Sequence, residues 1–219
     1  MSGAGFAAGL RREHDALWSA VLDHPFVRGI GDGSLDGARF RFYLEQDWVY
    51  LVELSRVLAL AAARARAPEQ MRELAGLLQV TLTEELDGLR RACAQLGVDD
   101  ERLARVEPSQ VTQAYTDALV RVCYEGSIGD IVAALLPCET GYTEIATRLR
   151  DAGRQPEPAR YRDWIAIYAG AEMQELAARF VGWCDACAAR ASADERARFA
   201  ALYRKSLRYE LLFFESAWQ

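Results

Sequence analysis

Apolar side chains recur along this chain at steps of three and four residues, segment after segment, and no alternating β-branched run competes with that rhythm. A period near 3.6 is the signature of amphipathic helices, so the spacing predicts an all-α fold. Six prolines punctuate the pattern, and all but Pro137 fall near the joints between periodic segments. Helices are expected at roughly 5–22, 36–66, 68–97, 109–124, 128–152, 158–168, 170–190 and 193–217. Two stretches read as longer loops, GIGDGSLDG at 29–37 and GVDDERLARVEPS at 97–109. With 219 residues and nothing repeating at a fixed period, one helical-bundle domain over 1–219 follows.

Charge narrows the partners. There are 26 basic against 32 acidic side chains, Lys205 is the only lysine, and the net charge is -6, so the basic footprint of a nucleic-acid binder is missing. No run of eighteen apolar residues suggests a membrane span. The N-terminal MSGAGFAAGLRREHD reaches charge too early for a secretory leader, which points to the cytoplasm. Five cysteines in no secreted-framework spacing are expected to be reduced and mostly buried. Cys184 and Cys187 form a CxxC inside a helical pattern with no second pair and no nearby histidine, so packing is expected rather than zinc or redox chemistry. Two histidines and no ExxH step leave no basis for a di-iron carboxylate site, and no metal is expected. His24, directly before Pro25, reads as a cap or loop residue.

Three seams carry polar groups where core is expected. In 36–66 the seam runs Phe40, Leu44, Asp47, Leu51, Leu54, Leu58, Ala61, with Tyr50 one turn beyond Asp47. In the last helix it runs Phe199, Tyr203, Ser206, Glu210, Phe213, Ala217. A carboxylate taken from water without partners costs several kcal/mol or stays protonated, so two on core seams are site candidates. The third seam, Ile131, Leu135, Cys138, Tyr142, Ile145, Leu149, sets a thiol and a tyrosine one turn apart, just after Pro137. A proline there removes a backbone donor and frees the carbonyl near Ala133. Tyr115 and Tyr168 also fall on apolar seams. Together these side chains describe an aromatic pocket with a few polar handles, suited to a flat polar heterocycle. Plain readings stand beside this one: Cys138 as a small core residue, the tyrosines as core, and Asp47 and Glu210 as ion-paired with arginines such as Arg56 or Arg208, or phased outward.

HPFVRGIGDGSL at 24–35, RFYLEQDWVYL at 41–51, AYTDAL at 114–119, ALLPCETGYTEI at 134–145, WIAIYAGAEM at 164–173 and RYELLFFESAW at 208–218 resemble, in content and order, the thiaminase II (TenA) family. The cysteine makes the chain similar to that family's cysteine-containing branch. The resemblance implies a heme-oxygenase-like fold, a homotetramer, no cofactor, and hydrolysis of 4-amino-5-aminomethyl-2-methylpyrimidine, and of thiamin in some members, in thiamin salvage. It implies Cys138 as nucleophile, Glu210 as the acid for the leaving group, and Tyr50 as the group that favours the ionised thiol. Asp47 would bind the aminopyrimidine edge, Tyr142 and Tyr168 would contact the ring, Tyr115 would hold the site together and Phe213 would wall it. Thr140, Trp48 and the GAEM segment at 170–173 depart from common family forms and bear on which substrate fits. Two other readings compete: a non-catalytic pyrimidine-binding or regulatory protein on the same scaffold, and a cofactor-free oxidation like that of pyrroloquinoline-quinone synthase. The latter's anionic substrate would want a basic pocket, which the seams do not supply.

Overall fold

The computed structural model describes residues 5–219, so the first four residues of the N-terminal stretch read for a leader lie outside it. Among the described residues every regular element is helical. In chain order these are α1 (Phe6–Glu13), α2 (Asp15–Leu22), α3 (Pro25–Asp32), α4 (Gly37–Arg64), α5 (Pro68–Val80) and, after a π-helical turn Thr81–Glu85, α6 (Leu86–Ala94). There follow α7 (Asp100–Leu103), α8 (Gln110–Glu125), α9 (Ile128–Asp151), α10 (Ala159–Tyr168), α11 (Ala171–Arg190) and α12 (Ala193–Trp218). The chain divides into two compact units, one made by the residues up to Leu35 with Val132–Trp218, the other by Asp36–Ile131 with Gln219. No helix among the described residues is long and apolar enough to cross a membrane.

In the first unit α12 packs on α2 and α3, α1 on α11, and α10 on α11. Trp18, Phe26, Phe180, Phe214, Leu135, Leu136 and Ile145 are fully buried there. Each such side chain contributes about 1.5–3 kcal/mol through removal of apolar surface from water. The seam predicted for the last helix is the buried face of α12, from Phe199 to Ala217. On α9 the predicted seam is buried at Ile131, Leu135, Tyr142 and Ile145 and half-buried at Cys138 and Leu149.

The second unit is organised by α4, which packs against α5, α6, α8 and the π turn. Every member of its predicted seam is buried. Side-chain caps set the helix starts: Ser109 Oγ accepts from the Thr112 amide at the head of α8, and Asp99 accepts from the Arg102 amide at the head of α7. Ser127 and Asp130 cap α9 reciprocally, the Asp130 carboxylate taking the Ser127 amide at 2.7 Å.

Four expectations are corrected. The expected loop 29–37 is helical at its start, since residues 29–32 complete α3, which begins where Pro25 sits at the first helical position and His24 Nδ1 accepts the Phe26 amide at 3.1 Å. Gly29 and Gly31 are contact glycines of that helix, not turn residues: a Cβ on Gly31 would lie 2.6 Å from Leu149 Cδ2. Only Gly33, at φ 81°, supplies the left-handed conformation that ends α3. The segment 5–22 breaks at His14, whose ring stacks on Tyr203 at 5.8 Å while its carbonyl takes the Leu17 and Trp18 amides. A π turn interrupts 68–97 and a one-turn helix, α7, interrupts 97–109.

Candidate active site

The first unit holds five of the eight candidates. Cys138 and Tyr142 lie one turn apart on α9, immediately past Pro137, and the helix continues through that proline. Thr140 Oγ1 donates to the Leu136 carbonyl at 2.7 Å, a local bond that keeps this hydroxyl on its own helix. Tyr142 sits in an aromatic cluster: its ring centroid is 5.0 Å from Tyr168, 6.0 Å from Trp164 and 6.0 Å from Phe214. Trp164 and Tyr168, one turn apart on α10, are 4.8 Å from each other. One ring from α9, two from α10 at helical spacing and one from α12 thus form a single aromatic wall.

On α12 Glu210 is 4% exposed and Phe213, three residues on, 3% exposed. The outward phasing held open for Glu210 is thereby excluded, and Arg208, the arginine considered as its partner, is solvent-exposed. Phe214 joins the same region to α3 by stacking on Phe26 at 5.3 Å. His24 stacks on Phe214 at 6.0 Å, and burial lowers its pKa against an opposing pull from Glu215, whose carboxylate lies 3.4 Å from Nε2. It is the cap that the sequence suggested, held neutral in the interior.

Asp47, Tyr50 and Tyr115 belong to the second unit. Asp47 is 6% exposed, and Arg56, considered as its partner, pairs with Glu53. Tyr50 on α4 and Tyr115 on α8 pack with centroids 5.2 Å apart, both buried. Asp47 is the last of three consecutive buried polar residues. Glu45 receives the Arg102 guanidinium. Gln46 ties α4 to the start of α8: its Oε1 accepts from the Ser109 amide at 2.8 Å and from Thr112 Oγ1 at 2.7 Å, while Nε2 donates to the Glu107 carbonyl at 3.1 Å.

Sequence reasoning missed Gln46, Trp164 and Phe214. Trp164 was findable from its four-residue step to Tyr168; Gln46 had no local signal beyond its place before Asp47. All five cysteines are reduced thiols. Burial drives Cys93 to about 12, with Asp47 and Glu45 adding to the rise, Cys123 to about 11 and Cys184 to about 12. Cys138 and Cys187 are the two that reach the half-buried class. Among the described residues no group of three or more His, Cys, Asp or Glu is placed to hold a metal ion.

Comparison with known proteins agrees over nearly the whole length. The sequence profile of the TENA/THI-4/PQQC family matches residues 11–219. A protein of Halalkalibacterium halodurans named aminopyrimidine aminohydrolase is 35% identical over 97% of this chain and 95% of its own. A TenA homologue from P. horikoshii OT3 superposes with a TM-score of 0.92 at 31% identity, over 98% of this chain and 99% of that one. A domain with a heme oxygenase-like fold from Shewanella denitrificans reaches 0.76 at 13% identity, over 96% of this chain and 90% of that one, a likeness of fold alone.

Proposed function

Since the chain belongs to the TENA/THI-4/PQQC family, we propose that it is an aminopyrimidine aminohydrolase, a thiaminase II-type hydrolase acting in thiamin salvage. The relatives' names support the reaction class. The observation that carries the reading in this chain is on α9: a half-buried thiol follows an intrahelical proline, one turn from a tyrosine embedded in an aromatic wall. Four-residue spacing alone would also suit a packed core; a partly accessible thiol beside stacked aromatics suits a flat ring with an electrophilic carbon.

The proposed chemistry runs from Cys138 and Glu210. The Cys138 thiolate adds to the pyrimidine ring of 4-amino-5-aminomethyl-2-methylpyrimidine, forming a C–S bond and breaking aromaticity. That electron pair then expels the exocyclic amine, which takes a proton from Glu210 and leaves as ammonia. Water adds to the exocyclic carbon and returns a proton to the Glu210 carboxylate. Rearomatisation releases the Cys138 thiolate. The net change is substrate plus water to hydroxymethylpyrimidine plus ammonia, with no redox step. A buried carboxyl suits this role because desolvation favours its protonated form. Tyr142 and Tyr168 contact the ring, Phe213 walls it, and Asp47 is assigned to the amino edge, its helix held by the packing of Tyr50 on Tyr115.

The family match runs through both units, which supports reading 1–219 as a single functional domain. We further propose a homotetramer in the cytoplasm. Large apolar side chains exposed on α5 and the π turn, Met71, Val80 and Leu82 at 40% or more each, leave apolar surface that association would cover; a monomer by light scattering at micromolar concentration would contradict the tetramer.

The deciding experiment incubates the protein separately with aminomethylpyrimidine and with thiamin and identifies products by mass, with Cys138→Ser as control. Hydroxymethylpyrimidine should form, and the variant should retain less than about a tenth of the rate. Tight binding with no product from either compound would favour a non-catalytic pyrimidine-binding protein instead.

A further inference from the structure

Outside the residues assigned above, the largest fully buried side chain of the first unit is that of Trp18, on α2, with no exposed surface. Three contacts define it. Its indole Nε1 donates to Tyr203 Oη at 2.6 Å, which reaches α12 two turns before Glu210. The far edge of its benzo ring meets the backbone of α9 at Gly141, where an added Cβ would come within 3.1 Å of Cη2 and 3.2 Å of Cζ3. The Arg11 guanidinium lies over its ring at 5.1 Å and is held there by a two-pronged bond to Glu144, also on α9.

Gly141 follows Cys138 by three residues and directly precedes Tyr142, in the middle of a helix. A glycine costs helix stability there unless the space above its Cα is needed. The space is filled by Trp18. The same indole therefore sets how close α2 comes to the turn that carries Cys138 and Tyr142, and is pinned by hydrogen bond to the helix that carries Glu210. Tyr203 is suited to be that anchor. Burial pushes its pKa up to about 12, so its hydroxyl stays neutral and keeps its lone pairs for the indole N–H across the working pH range.

We infer that Trp18 is a positioning residue for the reaction, spacing the helix of the nucleophile from the helix of the acid by resting its benzo edge on Gly141 and its N–H on Tyr203. The inference rests on the proposed roles of Cys138 and Glu210. It acts through backbone placement, so it should appear in kcat rather than in KM.

Gly141→Ala tests it. Alanine favours a helix, so the variant should fold with undiminished helicity, while its Cβ displaces the contact with Trp18 by some tenths of an ångström. A shift of that size should lower kcat roughly three- to tenfold with KM changed less than about twofold, given the steep dependence of rate on alignment. Trp18→Phe removes the benzo edge and with it the hydrogen bond to Tyr203, so it should itself lower kcat, and Gly141→Ala made on top of it should cost less than half the factor it costs in the wild type. A fully active Gly141→Ala, a fully active Trp18→Phe, or a Gly141→Ala loss of the same factor in both backgrounds overturns the inference. A second readout does not depend on turnover: the rate at which iodoacetamide labels Cys138, followed by peptide mass, should change when Gly141→Ala is made in the wild type and change less when it is made in Trp18→Phe. Should the wild-type protein turn over neither pyrimidine, the proposed function fails, and this labelling pattern still decides for or against the Trp18 contact.

Discussion

Replacing Gln46 by alanine removes a side chain that does not touch the proposed nucleophile, yet it should be among the most costly single changes in the second unit. The amide is 4% exposed and makes three hydrogen bonds, accepting from the Ser109 amide and Thr112 Oγ1 and donating to the Glu107 carbonyl. A hydrogen bond contributes about 1 kcal/mol net, and a buried group left without its partner costs about 1–3 kcal/mol. Glu107 is exposed, so water can replace the bond to its carbonyl. Thr112 is fully buried and retains Ser109 Oγ, 2.9 Å away. Adding the void left by the deleted methylene and amide, the loss comes to about 3 kcal/mol. For a chain of this length that is a fall in Tm of roughly 6–12 °C.

Paired urea and thermal unfolding of wild type, Gln46→Ala and Gln46→Glu would measure it. Glutamate keeps an acceptor for Ser109 and Thr112 but sets an oxygen against the Glu107 carbonyl and places a third carboxylate between the buried Glu45 and Asp47, so at pH 7 it should cost at least as much as alanine. Because α8 carries Tyr115, which packs on Tyr50, Gln46→Ala should also weaken substrate use. A loss of stability under about 1 kcal/mol for Gln46→Ala, or a glutamate variant as stable as wild type at pH 7, would refute the account of this amide as the tie between α4 and α8.

His24 is neutral in the fold, so its contribution should be complete above the unfolded pKa near 6.5 and be lost as pH falls from there through the lower folded value. Urea unfolding at pH 7.5 and 5.5 should show a stability decrement of up to about 1.4 kcal/mol per pH unit that His24→Asn abolishes, since asparagine keeps the cap without titrating; an undiminished decrement in the variant would acquit His24. Thiol reactivity should be graded by burial: at pH 8, with pKa values of about 12, 11 and 12, Cys93, Cys123 and Cys184 carry little thiolate. Iodoacetamide should reach Cys138 and Cys187 roughly a hundredfold faster in the native protein, and early labelling of the other three would show that the core opens. Gly31→Ala places a methyl 2.6 Å from Leu149 Cδ2, the end of a half-buried flexible side chain that can swing aside, so with alanine's better helix propensity opposing the contact the stability should change by less than about 1 kcal/mol in thermal unfolding, and a larger loss would show that Leu149 is locked in place.

What the sequence makes legible is the inward face of each long helix, and what it conceals is what that face meets. Steps of three and four placed Asp47, Glu210 and Tyr142 inside, and all three are buried. Glycine was the blind spot. In GIGDGSLDG the same residue type serves a turn at Gly33 and close helix contacts at Gly29 and Gly31, and only the contact partners Leu35 and Leu149, distant or near in sequence, tell them apart. A local pattern holds no information about Leu149 when read at residue 31, so tertiary packing overrode the turn signal. Gln46 is hidden for the same reason, because its partners are some sixty residues on.

The cysteines show where periodicity stops discriminating and what replaces it. Cys93, Cys123, Cys138 and Cys184 all sit in helices, and spacing alone gives no ground for choosing one as a nucleophile. The choice of Cys138 came from the resemblance, through the LLPC run and the tyrosine four residues on. The fold supplies an independent physical criterion. A thiol can attack only as thiolate and only if a substrate can reach it. Full burial withholds both from Cys93, Cys123 and Cys184, by raising the pKa and by closing access. Of the two half-buried thiols, Cys187 lies on α11, three residues past Cys184, whereas Cys138 lies one turn from the ring cluster of Tyr142, Trp164, Tyr168 and Phe214. Cys187 has the ring pair Phe180–Trp183 one turn away, so accessibility beside the larger cluster supports the proposed Cys138 by a route that does not use family likeness, and the Cys138→Ser assay and the graded labelling test the assignment from two separate premises.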